Sequence, residues 1–180
     1  MDTPRETLTE TGITLARWRP EQAGDLVAAV QGSLAHIGAW LPWATDGYGP
    51  AEGAEFLAGT VEHWESGESY EYALLAPDGA VMGSCGLMRC SDGGGVEIGY
   101  WLGLPYTGRG LMTAAASLLV AEAFRAGAEF VEIKHDELNT RSGAIPARLG
   151  FTLDRKESAA GEELAPACSG TDHVWRLDRP

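Results

Sequence analysis

The sequence predicts a single α+β domain with a mixed, mostly antiparallel central sheet flanked by helices. Three strand-like segments follow one another at residues 70–75, 81–88 and 96–102, separated by turns rich in Gly, Pro and Asp, a pattern typical of antiparallel strands. A helix-like segment then leads to a strand at residues 130–135, so residues 96–135 predict a right-handed parallel crossover. A length of 180 residues fits one domain with a substantial core.

The remaining elements complete the order β-α-α-β-β-β-α-β-α-β-β. Alternating apolar residues predict a first strand at residues 13–18, and Pro20 suits the first turn of the helix after it. Asn139 and Gly150 are typical capping residues for the last helix. The other predicted elements are helices at residues 51–65, 113–126 and 139–149 and strands at residues 151–155 and 174–177.

The chain is acidic, with a formal net charge of −13. This balance disfavours sustained binding to DNA, RNA or anionic membranes, because such binding needs a basic face. It is compatible with a cationic partner such as an amine. Acidity that serves only solubility is the alternative explanation.

Composition favours a folded protein of the cytoplasm. Apolar residues make up 44% of the chain, no apolar run approaches the ~18 residues of a membrane-spanning helix, and residues 1–11 lack the apolar core of a signal peptide. Cys85, Cys90 and Cys168 are odd in number and lack CxxC spacing. Neither a disulfide framework nor a metal site is therefore expected.

A glycine-rich loop at residues 105–113 carries the strongest functional signal. It joins a predicted strand to a predicted helix, and Gly108 and Gly110 leave backbone N–H groups open at the positive end of the helix dipole. Such a loop binds a phosphate or pyrophosphate, although a tight turn that needs positive φ looks the same. The third glycine of a dinucleotide fingerprint and the lysine of a Walker loop are both missing. The predicted phosphate-binding residues are Gly108, Arg109, Gly110, Leu111, Met112 and Thr113.

Further motifs occur in a distinctive order around this loop. They are Trp40-Leu41-Pro42-Trp43, Glu97-Ile98-Gly99-Tyr100-Trp101-Leu102, Asn139-Thr140-Arg141-Ser142 and Leu149-Gly150-Phe151. With these motifs the chain resembles the GNAT superfamily of acetyl-CoA-dependent N-acetyltransferases, and within it the RimJ/RimL group. The resemblance spans about residues 8–178 and implies one N-acetyltransferase domain over residues 1–180. That domain would transfer an acetyl group from acetyl-CoA to a primary amine without a metal.

The resemblance also implies a GNAT-like sheet that is splayed between its fourth and fifth strands, here residues 96–102 and 130–135. The slot between these strands is where the thioester of acetyl-CoA would meet the amine. The fourth strand would pair with the pantetheine arm. The residues implied to contact this arm are Tyr100, Trp101, Leu102, Asn139 and Ser142, although Asn139 also suits a helix cap.

The chain departs from the family pattern at two prolines. Pro105 stands at the polar first position of the pyrophosphate motif, and Pro146 stands where many members carry a tyrosine that protonates the departing thiolate. RimL-like members suggest Ser142 for that role. A serine hydroxyl is a weak acid, so it is expected to stabilise the thiolate by a hydrogen bond, with a capping or solvated serine as the alternative. The backbone N–H of Tyr100 is expected to polarise the thioester carbonyl.

Glu97 is the predicted base. A period of two places it with Gly99 and Trp101 on one face of their strand, and a carboxylate there would accept a proton from the amine or bind its ammonium. His135 and Asp136, at the end of the next strand, are alternative bases. A purely structural Glu97 is a further alternative.

Trp40 and Trp43 border the acceptor side in the family, where they would either stack on the substrate or anchor their loop into the core. Acceptor specificity is expected from the loops at residues 39–50 and 158–171. Either a protein N-terminus or a small amine would suit the site. A homodimer is compatible with the resemblance, although no stretch of the sequence points to an interface.

A non-catalytic acyl-CoA sensor is an alternative of a different class. In that case the pocket would bind CoA without turnover. Pro146, at the position of the usual tyrosine, is the residue that favours this alternative.

Overall fold

An eight-stranded sheet runs through the protein, whose computed structural model describes residues 1–91, 93–161 and 163–180. The strands are β1 (Thr7–Glu10), β2 (Ile13–Arg17), β3 (Ser69–Leu75), β4 (Val81–Arg89), β5 (Gly95–Leu102), β6 (Phe130–Asp136), β7 (Thr152–Ser158) and β8 (Thr171–Asp178). They lie side by side in the order β1-β2-β3-β4-β5-β6-β8-β7. Strands β5 and β6 are parallel and the other described neighbours are antiparallel. The predicted mixed, mostly antiparallel sheet is confirmed.

Helices cover both faces of this sheet. They are α1 (Ala23–Gln31), α2 (Leu34–Ile37), α3 (Pro50–Ser66), α4 (Leu111–Arg125) and α5 (Thr140–Arg148). Helices α1 and α3 pack on what we call the first face, where Leu26 and Leu57 share a buried cluster with Ala73 of β3. Helices α4 and α5 pack on the second face, where Leu119 and Ile145 belong to the larger buried cluster.

Two short elements differ from the sequence prediction. Strand β1 is not predicted because it has four residues of which only Leu8 is buried, so no apolar alternation marks it. It pairs with β2 through a tight turn in which Gly12 has a φ of +88°. The strands expected as fourth and fifth are therefore the fifth and sixth of this sheet. Helix α2 is a single turn and is likewise not predicted. Asp92, and Glu162 within the predicted loop at residues 158–171, lie outside the described residues.

A buried carboxylate holds the N-terminal segment on helix α4. The Glu122 side chain has no exposed surface, and its oxygens accept hydrogen bonds from the guanidinium groups of Arg5 and Arg125 at 2.6 and 2.7 Å. It also accepts from the backbone N–H of Arg5 at 2.7 Å. Burial alone would raise the pKa of Glu122, but the hydrogen bonds from Arg125 and Arg5 lower it to about 2. The ionised form is therefore part of the folded structure.

Replacing Glu122 with Gln should destabilise the protein, because two arginines lose their anion. We expect a loss of roughly 1–3 kcal/mol in the free energy of unfolding at pH 7, a modest value since water screens both arginines. The folded-state pKa lies below the ordinary value of 4.5, so the stabilisation is complete above about pH 4.5 and is lost as the pH falls towards 2. Urea denaturation of both proteins at pH 7 and pH 3 measures this.

The matched control is Glu55→Gln, on the exposed side of α3. It should change the free energy of unfolding by less than about 0.5 kcal/mol. Equal stability of Glu122→Gln and the wild type at pH 7 would contradict a stabilising role for the charge.

Candidate active site

A large cavity opens where strands β5 and β6 separate. Their parallel ladder runs only from Gly95 paired with Phe130 to Glu97 paired with Glu132. Beyond this point β5 continues to Leu102, while β6 continues beside β8. The cavity has a volume of about 1460 Å³ and is lined by residues of both strands. This early end of the ladder fits the splay expected from the sequence.

Backbone groups of β5 point into this gap. The Gly95 carbonyl accepts from Cys90 and the Gly103 N–H donates to Met82, so the odd-numbered residues between them turn their backbone groups to β4. The C=O group of Ile98 and the N–H and C=O groups of Tyr100 and Leu102 therefore face the opening, whereas the N–H of Ile98 is used in the last pair of the ladder with β6. Trp101, which is also expected to contact the pantetheine arm, lines the cavity but directs its backbone groups to β4.

The glycine-rich loop forms one end of the cavity. Gly108 and Gly110 have φ values of +73° and +75°, a region that favours glycine, and a Cβ added at either would meet no atom within 4 Å. Gly110 is the N-cap of α4, so the first N–H groups of this helix lack intrahelical partners. Five of the predicted phosphate-binding residues line the cavity, namely Gly108, Gly110, Leu111, Met112 and Thr113. Arg109 is exposed beside them and does not line it.

Asn139, Ser142 and Tyr100 meet on the second face of the sheet. The Asn139 side chain caps α5 by accepting from the Ser142 backbone N–H at 3.2 Å. The Ser142 hydroxyl lies 2.9 Å from the Tyr100 phenol oxygen. Burial raises the pKa of Tyr100 to about 12, although the hydrogen bond with Ser142 opposes this. The sequence predicts a role for the backbone of Tyr100 but not for its phenol. Side chains alternate between the two faces of a strand, so the three-residue separation of Glu97 and Tyr100 already indicates that Tyr100 points to the opposite face.

The predicted alignment of Glu97, Gly99 and Trp101 on the first face agrees with the strand register. These residues pair with every second residue along a stretch of β4 that contains no bulge. Trp43 packs against Trp101 with ring centroids 6.3 Å apart. It does not line the cavity, whereas Trp40 does. The geometry at Trp43 thus favours loop anchoring over substrate stacking.

Glu97 stands among charged side chains at the end of the ladder. Burial raises its pKa, Lys134 opposes that rise, and Glu132, Glu157 and Asp172 add to it. Lys134 lines the same cavity, two residues beyond Glu132 on β6, and its Nζ lies 4.0 Å from Asp172 Oδ2. No role for Lys134 at this site follows from the sequence alone, because only the fold brings β6 beside β5.

The two alternative bases have hydrogen-bonding partners elsewhere. His135 Nε2 accepts from the Trp175 indole at 3.0 Å, and its Nδ1 donates to the Asp136 carbonyl at 2.8 Å. Both bonds require the neutral ring. The Asp136 carboxylate accepts from the backbone N–H groups of Leu138 and Ser169 at 2.9 and 2.7 Å. Burial would raise the pKa of Asp136, but these hydrogen bonds lower it. Both residues therefore serve to fix this corner of the cavity.

Two loops meet across the first-face side of the cavity. The Ala167 N–H, between β7 and β8, donates to the Ala39 carbonyl at 2.9 Å. The Cys168 thiol lies 3.7 Å from the Trp40 carbonyl oxygen. These loops include the segments from which acceptor specificity is expected.

Within the described residues, no group of three or more His, Cys, Asp and Glu side chains has the arrangement of a metal site. None of the described helices is both long and apolar enough to cross a membrane.

The family model described as "Acetyltransferase (GNAT) domain" matches residues 13–152 of the chain. The protein belongs to the GNAT acetyltransferase family. The loop at the start of α4 and the strands β5 and β6 that border the gap all lie within the matched residues.

Individual relatives agree with this assignment. "Putative ribosomal N-acetyltransferase YdaF" of Bacillus subtilis is 27% identical over 154 residues, covering 80% of each chain. RimL, the ribosomal L7/L12 α-N-protein acetyltransferase, solved with coenzyme A, superposes with a TM-score of 0.85 at 20% identity over 96% of this chain and 98% of RimL. The microcin C7 self-immunity acetyltransferase MccE, solved with acetyl-CoA and AMP, gives 0.85 at 20% identity over 94% of each chain. At these identities the two structures establish the fold.

Removing the cation beside Glu97 should raise the pKa of this carboxylate further. In Lys134→Met the long apolar stem is kept, but the charge that favours ionised Glu97 is lost. The ¹³C chemical shift of the Glu97 side-chain carboxyl, followed by NMR against pH, measures the change directly.

The chain supplies a matched control for this titration. Lys156 is the only other lysine; it pairs with Glu137 at 3.1 Å, and its register with His173 places it on the second face. Lys156→Met should leave the Glu97 titration unchanged. An unchanged titration in Lys134→Met would mean that Lys134 does not act on Glu97.

Proposed function

We propose that this protein transfers an acetyl group from acetyl-CoA to a primary amine of a small molecule or of a peptide or protein N-terminus. One observation carries the proposal: a single cavity joins an open glycine loop at a helix start to a carboxylate and a hydroxyl on opposite faces of β5. These are the parts that acetyl transfer needs, namely a phosphate cradle, a base and a group near the leaving thiolate. The family membership and the bound acetyl-CoA or CoA of the MccE and RimL structures support it.

Acetyl-CoA would enter as a co-substrate along the gap. Its pyrophosphate would bind the N–H groups of residues 108–113, with Arg109 adding charge from outside. Its pantetheine amides would pair with the backbone of Tyr100 and Leu102, whose groups face the opening. Asn139, at the start of α5, would contact the same arm.

The transfer step needs a neutral amine. Glu97 would accept the proton of the ammonium, directly or through water, and the amine would then attack the thioester carbonyl. The Tyr100 N–H would donate to the oxygen that becomes negative in the transition state. Ser142, on the other face of β5, would donate a hydrogen bond to the sulfur as the C–S bond breaks. Ionised Glu97 is favoured by Lys134, which faces the same cavity.

Two kinds of acceptor suit the site. The name of YdaF and the activity stated for RimL favour a ribosomal-protein N-terminus. The MccE structure contains a small ligand, AMP, in addition to acetyl-CoA, which favours a small amine as the alternative acceptor. The carboxylates of Glu97 and Asp172 beside the cavity suit the ammonium of either acceptor.

A non-catalytic acyl-CoA sensor remains the second candidate because Pro146 carries no proton at the position of the usual tyrosine. Acetyl-CoA turnover, followed with a thiol reagent against a panel of amines and N-terminal peptides, separates the two. Turnover with any acceptor supports the transferase, and tight CoA binding without turnover supports the sensor.

In the same assay, Glu97→Gln should abolish or shift the acidic limb of the pH dependence of kcat/KM if Glu97 is the base. If Glu97 only anchors the ammonium, KM for the acceptor should rise with a smaller change in kcat. Wild-type parameters across pH would remove Glu97 from the proposed mechanism.

CoA binding should depend on the glycine at the start of α4. Gly110→Val strains a backbone with φ of +75° and fills open space above the N–H groups, so calorimetry should show CoA affinity weaker by at least ~1–2 kcal/mol. Gly79→Val is the control, because Gly79 also has positive φ (+87°) and open space but lies in the β3–β4 turn away from the cavity. Equal CoA affinity for folded Gly110→Val and Gly79→Val would contradict the placement of the pyrophosphate.

A further inference from the structure

The Tyr100 phenol and the Ser142 hydroxyl form a hydrogen-bonded pair on the second face of the sheet. Their oxygens lie 2.9 Å apart, and the phenol also lies 3.3 Å from the Ser142 carbonyl oxygen. Both residues line the cavity. Ser142 is fixed from the other side, because its backbone N–H donates to the Asn139 side chain. The serine hydroxyl is thus held between a rigid helix start and a phenol.

Alternation along β5 sends the phenol to the side where the thiolate would leave. Glu97 and Tyr100 are three residues apart in an unbroken ladder, so their side chains lie on opposite faces. The proposed base therefore serves the amine on the first face, and Tyr100 faces α5 on the second. A phenol is a much stronger acid than an aliphatic hydroxyl, which answers the weakness of Ser142 as a lone proton donor.

We propose that Tyr100 acts through Ser142 as the proton source for the departing thiolate, an inference that rests on the proposed acetyl transfer. As the C–S bond of the tetrahedral intermediate breaks, its electron pair moves to sulfur. The Ser142 proton passes to sulfur, and the Tyr100 proton passes to Ser142 Oγ. The nitrogen of the intermediate gives its second proton to water, so the products are the amide, the thiol of CoA, a proton in water and a transient Tyr100 phenolate, which takes up a proton from water when the cavity opens to release product. Burial raises the pKa of Tyr100 to about 12, so this phenol is protonated before the step, is a weaker acid than an exposed tyrosine, and regains its proton readily afterwards.

In this proposal Tyr100 is a positioning residue, because it reaches sulfur only through Ser142. A double-mutant cycle tests that relation. Tyr100→Phe removes a single oxygen and should lower kcat about 10- to 100-fold with CoA affinity changed by less than about twofold. Ser142→Ala should lower kcat similarly. The double variant should be no slower than Ser142→Ala, since the phenol has nothing to act through once the serine hydroxyl is gone.

The number of protons that move in the rate-limiting step distinguishes a proton relay from a purely structural role of Tyr100. With chemistry rate-limiting, kcat against the D₂O fraction should be more strongly curved for the wild type, where the Ser142 and Tyr100 protons both move as the thiolate leaves, than for Tyr100→Phe, where only the Ser142 proton moves. Tyr72→Phe is the control, because the Tyr72 phenol also makes a hydrogen bond, to the Arg5 carbonyl at 2.8 Å, but does not line the cavity. It should leave kcat and this curvature unchanged.

The outcomes separate this inference from the function beneath it. No turnover by the wild type with any acceptor would overturn the acetyl transfer and the relay together. Turnover with an unaffected kcat in folded Tyr100→Phe would overturn the relay alone. Effects of Tyr100→Phe and Ser142→Ala that multiply in the double variant, or unaltered curvature in D₂O, would also overturn it.

Discussion

The three-residue parallel ladder between β5 and β6 is the constraint on which the candidate site depends. Buried backbone N–H and C=O groups need partners, and β4 and β8 supply them on the outer edges of β5 and β6. On the edges that face each other, the two strands pair only as far as Glu97 and Glu132. Beyond this point the edge of β5 presents a row of backbone polar groups to the cavity.

Alternation along β5 then divides the chemistry between two faces. Glu97 and Trp101 point to the side of α1 and α3, while Tyr100 points to the side of α5. A single strand thus presents a carboxylate on one face and a phenol on the other. The two faces also differ in environment: carboxylates and Lys134 surround Glu97, whereas a hydroxyl is the partner of Tyr100.

The sequence was sufficient for features that local geometry dictates. Gly108 and Gly110 could be recognised because positive φ favours glycine, and the face of Glu97 followed from the period of two. The Tyr100–Ser142 contact joins residues 42 apart, and the His135–Trp175 bond joins residues 40 apart. Neither contact could be predicted from a local sequence pattern, because each depends on where α5 and β8 lie in the folded protein. Strand β1 was not predicted for a different reason. It has a single buried leucine, and one apolar residue does not form the alternating pattern that indicates a strand.

The hydrogen bond between Ala167 and Ala39 makes the positions of two distant loops depend on each other. It joins the loop after α2 to the loop between β7 and β8, and the neighbouring Cys168–Trp40 contact likewise spans 128 residues of chain. Breaking one backbone hydrogen bond costs about 0.5–1.5 kcal/mol, which corresponds to a factor of about 2–13 in an equilibrium constant. Any movement that separates these two loops must supply that free energy, so the loops are expected to move together rather than singly.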